Sequence, residues 1–399
     1  MKISIPSTIS EIDQSLGNLP DKGAVEVNID PFFKWEERQK IPLYTSSLIQ
    51  WILSVWRREE TFFSGLHVTG GGFLQQLSQT APGLFLSLLP NGKVDGVDRK
   101  QSADFRRRYL EAQQNWPDLA SSFSEILICV DSLPKLLPKQ LYLLPEERTL
   151  IDSEAYGEIF RGILKSLGDA HDAKSKLRGR EDAICSIIFE LFKNTHDHAR
   201  HGIEGVELVD SIRGIYTDYY PIEYFDSKYF QKVAGEESTP LSRYIGLVVG
   251  DHIRKDASSE KKISGFLEIT IFDSGPGLAA KLTGKSIADL TSELQYEDVI
   301  KCFGKGYSST TSGARGFGLW KVLSMLRSLN GLIRVRTNKV HLSRDFRALQ
   351  GLGVVSHAFG EKVPDNRLYD WTRGFLAPIS EYPSIEGTNI SVFIPLEGL

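Results

Sequence analysis

The sequence predicts an α/β protein built from two units, and three observations carry that prediction. Short apolar runs alternate between strand and helix periodicity through the first ~150 residues. A helix with a continuous apolar stripe follows, and the C-terminal half then runs strand, glycine turn, helix, strand and closing strand. At 399 residues the chain exceeds what one core usually organises.

In the first unit, residues 1–150, the runs "AVEVNID", "SSLIQWILSVWRRE", "GLHVTG", "GFLQQLSQ" and "LFLSLL" alternate as strands and helices, followed by "EILICVDS" and "LYLLP". The passage "PEERTLIDSEAYGEIF" combines a turn, a charge run and a helix start, which places the boundary between Leu144 and Asp152. The second unit, residues 151–399, opens with helices over about Ser153–Leu167 and Arg180–Arg200. A polar and aromatic stretch, about 201–262, reads as an insertion. The strand "FLEITIF", the helix "GLWKVLSMLRSL" and the strand "GLIRVRT" follow. A second insertion spans about 339–386, and "GTNISVFIPL" closes the chain as an alternating strand.

Composition narrows the function classes. Apolar content of 41% and charged content of 25% are those of a globular protein, and a net charge of −4 gives no electrostatic case for nucleic acid. Cys129, Cys185 and Cys302 lack the paired spacing of a zinc site or a disulfide framework. No signal-peptide run opens the chain and no segment approaches the ~20 apolar residues of a membrane span, so a soluble cytoplasmic protein is expected.

The chemistry-bearing residues begin in "FELFKNTHDHAR". At about 100° per residue, Ile184, Ile187, Ile188, Leu191, Phe192 and Thr195 share the core face. Glu190, Asn194 and Asp197 form a second stripe at its edge. There a carboxylate can act as a base on water, and an Asn oxygen can share Mg²⁺ with phosphate oxygens. The same spacing also suits the polar flank of an ordinary amphipathic helix.

Three further passages bear on that choice. In "LEITIFDSGPGL" a strand ends in Asp273, with Gly275 and Gly277 turning the backbone away. An acid so placed can accept a hydrogen bond from an exocyclic amine while the glycines leave room for a flat ring. In "GARGFGLWKV", Gly313, Gly316 and Gly318 lead into a helix, an arrangement that brings backbone N–H groups to an anion or merely makes a tight packing loop. In "EGTNISVFIPL", Gly387 and Thr388 start the last strand and can set a hydroxyl near the same ring.

Taken together and in this order, these passages resemble the GHKL superfamily of ATP-binding domains, which includes gyrase B subunits, the large heat-shock chaperones, histidine kinases and MutL proteins. "ELFKNTHDH" looks like its N box, "DSGPG" and "GARGFGL" its two glycine boxes, and "GTNISVFIPL" its final strand. The resemblance implies an α/β sandwich, a mixed sheet with helices on one face. It implies ATP and Mg²⁺ as cofactors, with Asn194 as metal ligand and Glu190 polarising the attacking water. Asp273 would bind the adenine amine with Thr388 assisting. Gly275 and Gly277 would shape the ring pocket, and Gly316, Gly318 and Leu319 would close the phosphate side. Residues 278–313 would form a lid ordered by nucleotide.

Asp197 matches the hydrolysing members and His198 the kinases, so the N box is mixed, while Ala314 replaces a glycine that many kinases use and the balance favours an ATPase. The expectation is slow ATP hydrolysis controlling contacts with another domain, a protein partner or a second copy. Phosphotransfer to a partner and a non-catalytic ATP sensor stay open. His171 is the only candidate for a kinase phosphoacceptor, and it lies too near the N box for the required helical hairpin. "AAKLTGKSIADL" also fits a relaxed phosphate loop, but it starts several residues beyond its strand. Gly70 to Gly72 suit a strand-to-helix turn, and Arg106 to Arg108 an exposed helix face.

Overall fold

A computed structural model describes residues 1–20, 22–34, 41–65, 72–90, 93–114, 126–152, 156–157, 177, 179–225, 239–254, 262–304, 317–347, 354–356, 362–364, 367–374 and 379–398. The chain is α/β. Its N-terminal layer has a parallel three-stranded sheet of β1 (Lys2–Ser4), β2 (Val25–Asn28) and β3 (Thr61–Ser64). Around it lie α1 (Ile9–Gly17), α2 (Tyr44–Trp56), α3 (Phe73–Leu77), α4 (Ala81–Leu88) and α5 (Arg99–Gln113). Caps fix these helices: Thr8 accepts from Glu11 N–H, and Asp98 and Gln101 form a capping box.

"LFLSLL", a strand in the expected alternation, is instead helix α4. The Thr80 side chain accepts from Gly83 N–H and Pro82 sits in the first turn. A short run of buried apolar residues has no period of its own, so the cap decides. Arg107 pairs with Glu111 on the exposed face of α5, while Arg106 donates to the Leu89 carbonyl.

The remaining strands are β4 (Ile126–Val130), β5 (Tyr142–Leu144), β6 (Thr149–Leu150), β7 (Ile212–Pro221), β8 (Lys262–Asp273), β9 (Leu332–Asn338), β10 (Val340–Asp345), β11 (Val354–Ser356), β12 (Lys362–Pro364), β13 (Tyr369–Asp370) and β14 (Ile385–Gly398). The helices are α6 (Glu181–His198), α7 (Pro240–Arg254), α8 (Leu278–Thr283), α9 (Ser292–Cys302) and α10 (Gly318–Ser328). The large sheet has seven strands in the order β13-β10-β9-β14-β8-β7-β4, and each of its pairings is antiparallel. Since β8 and β9 both run against β14, they run parallel to each other. The passage through α8, α9 and α10 joins them as a crossover, with the C-terminal strand inserted between.

Several expectations change here. β4 lies upstream of the expected boundary yet forms an edge of the large sheet. The stretch 201–262, read as an insertion, contributes β7 and α7, and 339–386 contributes β10 and β13. The implied mixed sheet with helices on one face differs from the observed one, whose neighbouring strands are antiparallel and whose two faces are both covered. On β8, Leu267, Ile269 and Ile271 join α6, α9 and α10 in one core, whereas Phe272 packs with the N-terminal layer and Phe266 with α7. Alternation gives β8 two apolar faces, and each needs a cover.

The second face is unusual in the middle. Helix α2 is buried nearly all round and sets Ser46, Ser47 and Gln50 against the sheet. Glu268 accepts there from Leu43 N–H (2.8 Å), Ser46 Oγ (2.7 Å) and Tyr220 OH (3.0 Å). Arg334 donates to Ser47 Oγ and His341, and Asn389 donates to the Ser46 carbonyl. This buried interface is held by hydrogen bonds as well as by hydrocarbon, with Gln50 Oε1 and His341 Nδ1 left without a hydrogen-bond partner among the described residues.

Candidate functional site

Helix α6 buries Ile184, Ile187, Ile188, Leu191, Phe192 and Thr195, as their spacing predicts. Glu190, Asn194 and Asp197 lie on its half-buried flank. Glu190 faces the start of α10: Lys321 Nζ is 3.1 Å from its Oε1, and a Cβ added to Gly318 would stand 2.9 Å from its Oε2. Asp197 pairs with Lys193 one turn back on its own helix.

The end of β8 forms a second centre. Asp273 faces Thr388 on β14 and Arg213 on β7. Its side chain is buried, and its Oδ1 accepts from the N–H groups of Gly275 (2.9 Å) and Thr388 (3.2 Å), which leaves Oδ2 as the acceptor for an incoming donor. Burial pushes the carboxyl up to about 7, against the pull of those two N–H groups and of Arg213.

The glycines bring the chain close to this acid. At Gly275 a Cβ would meet Ala199 Cα, just past the end of α6, at 2.6 Å. Gly277 has φ +88°, and a Cβ there would fall inside the Asn338 side chain. Thr388 Oγ1 is 3.2 Å from Thr337 Oγ1, which also bonds the Gly387 carbonyl and receives Leu278 N–H. Asp273, Gly275, Gly277 and Thr388 are therefore brought together. Glu190 and Gly318 meet at the other end of the α6 flank.

Leu319 is buried in the core, where it packs the base of α10. Gly313 and Gly316 lie outside the described residues, as do His171, Gly70 and Gly71 and the helix expected over 153–167 apart from 156–157. The expected lid divides. Residues 278–304 carry α8 and α9, with Leu278, Leu290, Val299 and Phe303 in the core, and 305–313 lie outside the described residues. Within that span Ala279 sits on α8 and Gly284 is its left-handed cap, so the "AAKLTGKS" segment is a helix and its stop rather than a loop leaving a strand.

Sequence reasoning passed over Arg213, Asp131, Thr337, Asn338 and Lys321. Arg213 is fully buried in a bidentate pair with Asp131 (2.5 and 2.8 Å) and donates to Tyr142 OH at 2.7 Å. Despite the cost of burial, Tyr142 and Asp131 hold its guanidinium protonated. His196, 3.3 Å from the same hydroxyl, is pushed down to about 3 by burial and by Arg213, so it is neutral at physiological pH. A lone Arg inside the apolar run around Ile212 and Ile215 was the available signal.

Among the described residues no group of three or more His, Cys, Asp or Glu side chains could hold a metal ion, and no helix is long and apolar enough to cross a membrane. A cleft of about 560 Å³ lies elsewhere, between α1 and residues 371–372 and 381–383, and none of the expected site residues lines it. Comparison with protein-family models, curated proteins and solved structures gives no match.

Proposed function

We propose that the protein binds Mg²⁺-ATP in a GHKL-type site and hydrolyses it slowly. The observation that carries this reading is the distribution of polar groups along α6. Near its end, at Ala199, stands the buried Asp273, whose Oδ1 holds the Gly275 and Thr388 N–H groups while Oδ2 is left for a further donor. At Glu190, nine residues earlier and about 14 Å away along the axis, stands the glycine start of α10. That separation suits an extended nucleoside triphosphate, with its base at Asp273 and its last phosphate near Glu190.

The residues fit the ligand in kind. A carboxylate oxygen at Asp273 would accept an exocyclic amine, and Thr388, whose N–H bonds the same acid and whose hydroxyl lies against Thr337, would assist. Asn194, between the two ends on the flank, would hold Mg²⁺, which supplies charge neutralisation for phosphate oxygens when bound. Glu190 orients and polarises water at the phosphate end.

Occupancy of the site would reach the N-terminal layer through one side chain. Arg57, just after α2, donates to Ser274 Oγ (3.1 Å) and pairs with Glu386 (3.3 Å), so it touches both segments that carry Asp273 and Thr388. Calorimetric titration with Mg²⁺-ATP tests the reading: Asn194→Ala and Asp273→Asn each lose affinity, and Glu190→Ala binds without releasing phosphate. Unchanged affinity in both binding variants would refute it. Label from γ-labelled ATP appearing on protein would move the assignment to phosphotransfer.

A further inference from the structure

Lys321 stands in the first turn of α10, where the helix end is already positive and a cation is the unfavourable sign. Its position is therefore not explained by helix stability. It is explained by Glu190: the ammonium lies 3.1 Å from Oε1, while the other oxygen lies against Gly318. The Lys321 side chain is 47% exposed and that of Glu190 18%, so the partner that needs neutralising is the carboxylate.

A carboxylate at the phosphate end of a nucleotide site raises a difficulty. It is needed beside the terminal phosphate to act on water, yet it repels that phosphate with an energy that grows with charge and falls with distance. We infer that Lys321 resolves this conflict and sets the preference of the site for a triphosphate over shorter phosphates, acting through Glu190. Paired with the ammonium, Glu190 presents a neutral couple to the incoming phosphate. Without it, the terminal phosphate meets a bare negative charge, a diphosphate meets it from further away, and adenosine does not meet it at all. Lys321 is thus a positioning residue that compensates charge. The inference rests on the nucleotide reading given above.

A double-mutant cycle on the full chain tests it, with Mg²⁺-ATP, Mg²⁺-ADP and adenosine titrated into wild type, Lys321→Met, Glu190→Gln and the double variant. Lys321→Met is expected to weaken ATP by about tenfold, ADP less and adenosine not at all. Adding Glu190→Gln restores ATP affinity to that of Glu190→Gln alone, because no charge is left to compensate. Lys321→Arg keeps the wild-type order. Equal losses for all three ligands, or no restoration in the double variant, would overturn the inference, since a packing defect behaves that way. Wild type that binds none of the three would overturn the nucleotide reading and this inference with it.

Discussion

The backbone N–H of Thr388 donates to Asp273 Oδ1 at 3.2 Å, across two strands that run antiparallel in the centre of the large sheet. That bond and its companion from Gly275 only partly offset the burial of the acid, whose carboxyl is pushed up to about 7. A carboxyl held above its unfolded value binds its proton more tightly in the folded protein. The stability it contributes is therefore present below the unfolded value and lost as pH rises towards 7. Asp273→Asn should flatten the fall of stability between pH 4 and 8, by about 4 kcal/mol at the limit, measured as the difference between two urea series. Parallel curves would mean that the acid is better solvated than its burial implies. ATP affinity should fall in the same variant, the mark of a site that trades stability for an acceptor.

Gly387 offers a sharper steric test. It has φ +67°, and a Cβ there would overlap the Asp273 carbonyl, a backbone atom that cannot swing aside. Gly284 has nearly the same backbone, φ +68°, with open space around it. Gly284→Ala should cost about 1 kcal/mol and Gly387→Ala about 3 kcal/mol or more. The order of the two urea midpoints decides.

The polar interface under α2 predicts how the N-terminal layer is attached. Glu268→Ala removes the common acceptor of Leu43 N–H, Ser46 and Tyr220 and leaves buried donors unpaired. A loss of about 3 kcal/mol is expected, with faster hydrogen exchange along α2. Glu268→Gln keeps an acceptor and should lose less. Exchange in α2 that does not change would place the attachment in the apolar contacts instead.

For the buried pair of Arg213 and Asp131, removal of one partner is worse than removal of both. Asp131→Ala should cost about 3–5 kcal/mol by leaving the guanidinium uncompensated, and adding Arg213→Met should recover much of it. A double variant no more stable than Asp131→Ala would show that Arg213 is needed for itself, through Tyr142.

The sequence made legible those elements whose period and breakers agree. The apolar stripe of α6, the alternation of β8 and β14 and the run of α10 each carry their own signal, and so did the glycines beside Asp273. β7 was not legible. Its residues "IRGIYTDYYP" carry Arg213 on the first apolar face, and Asp131 and Tyr142, both more than seventy positions earlier, make that burial tolerable. β10 hid for the same reason, since His341 and Arg344 are buried within it.

What the sequence determined by itself is local: which segments bury one face, where the chain must turn, and which polar groups line the flank of α6. The tertiary structure decided the rest. It inserted the last strand between β8 and β9, so that Thr388 meets Asp273, and it set α10 so that Lys321 meets Glu190. It also laid α2 across a sheet face that carries Glu268 and Arg334. These pairings join residues far apart in the chain, and their energies depend on what each group finds opposite it once water is gone. Periodicity reports which side of an element is buried, but not what buries it.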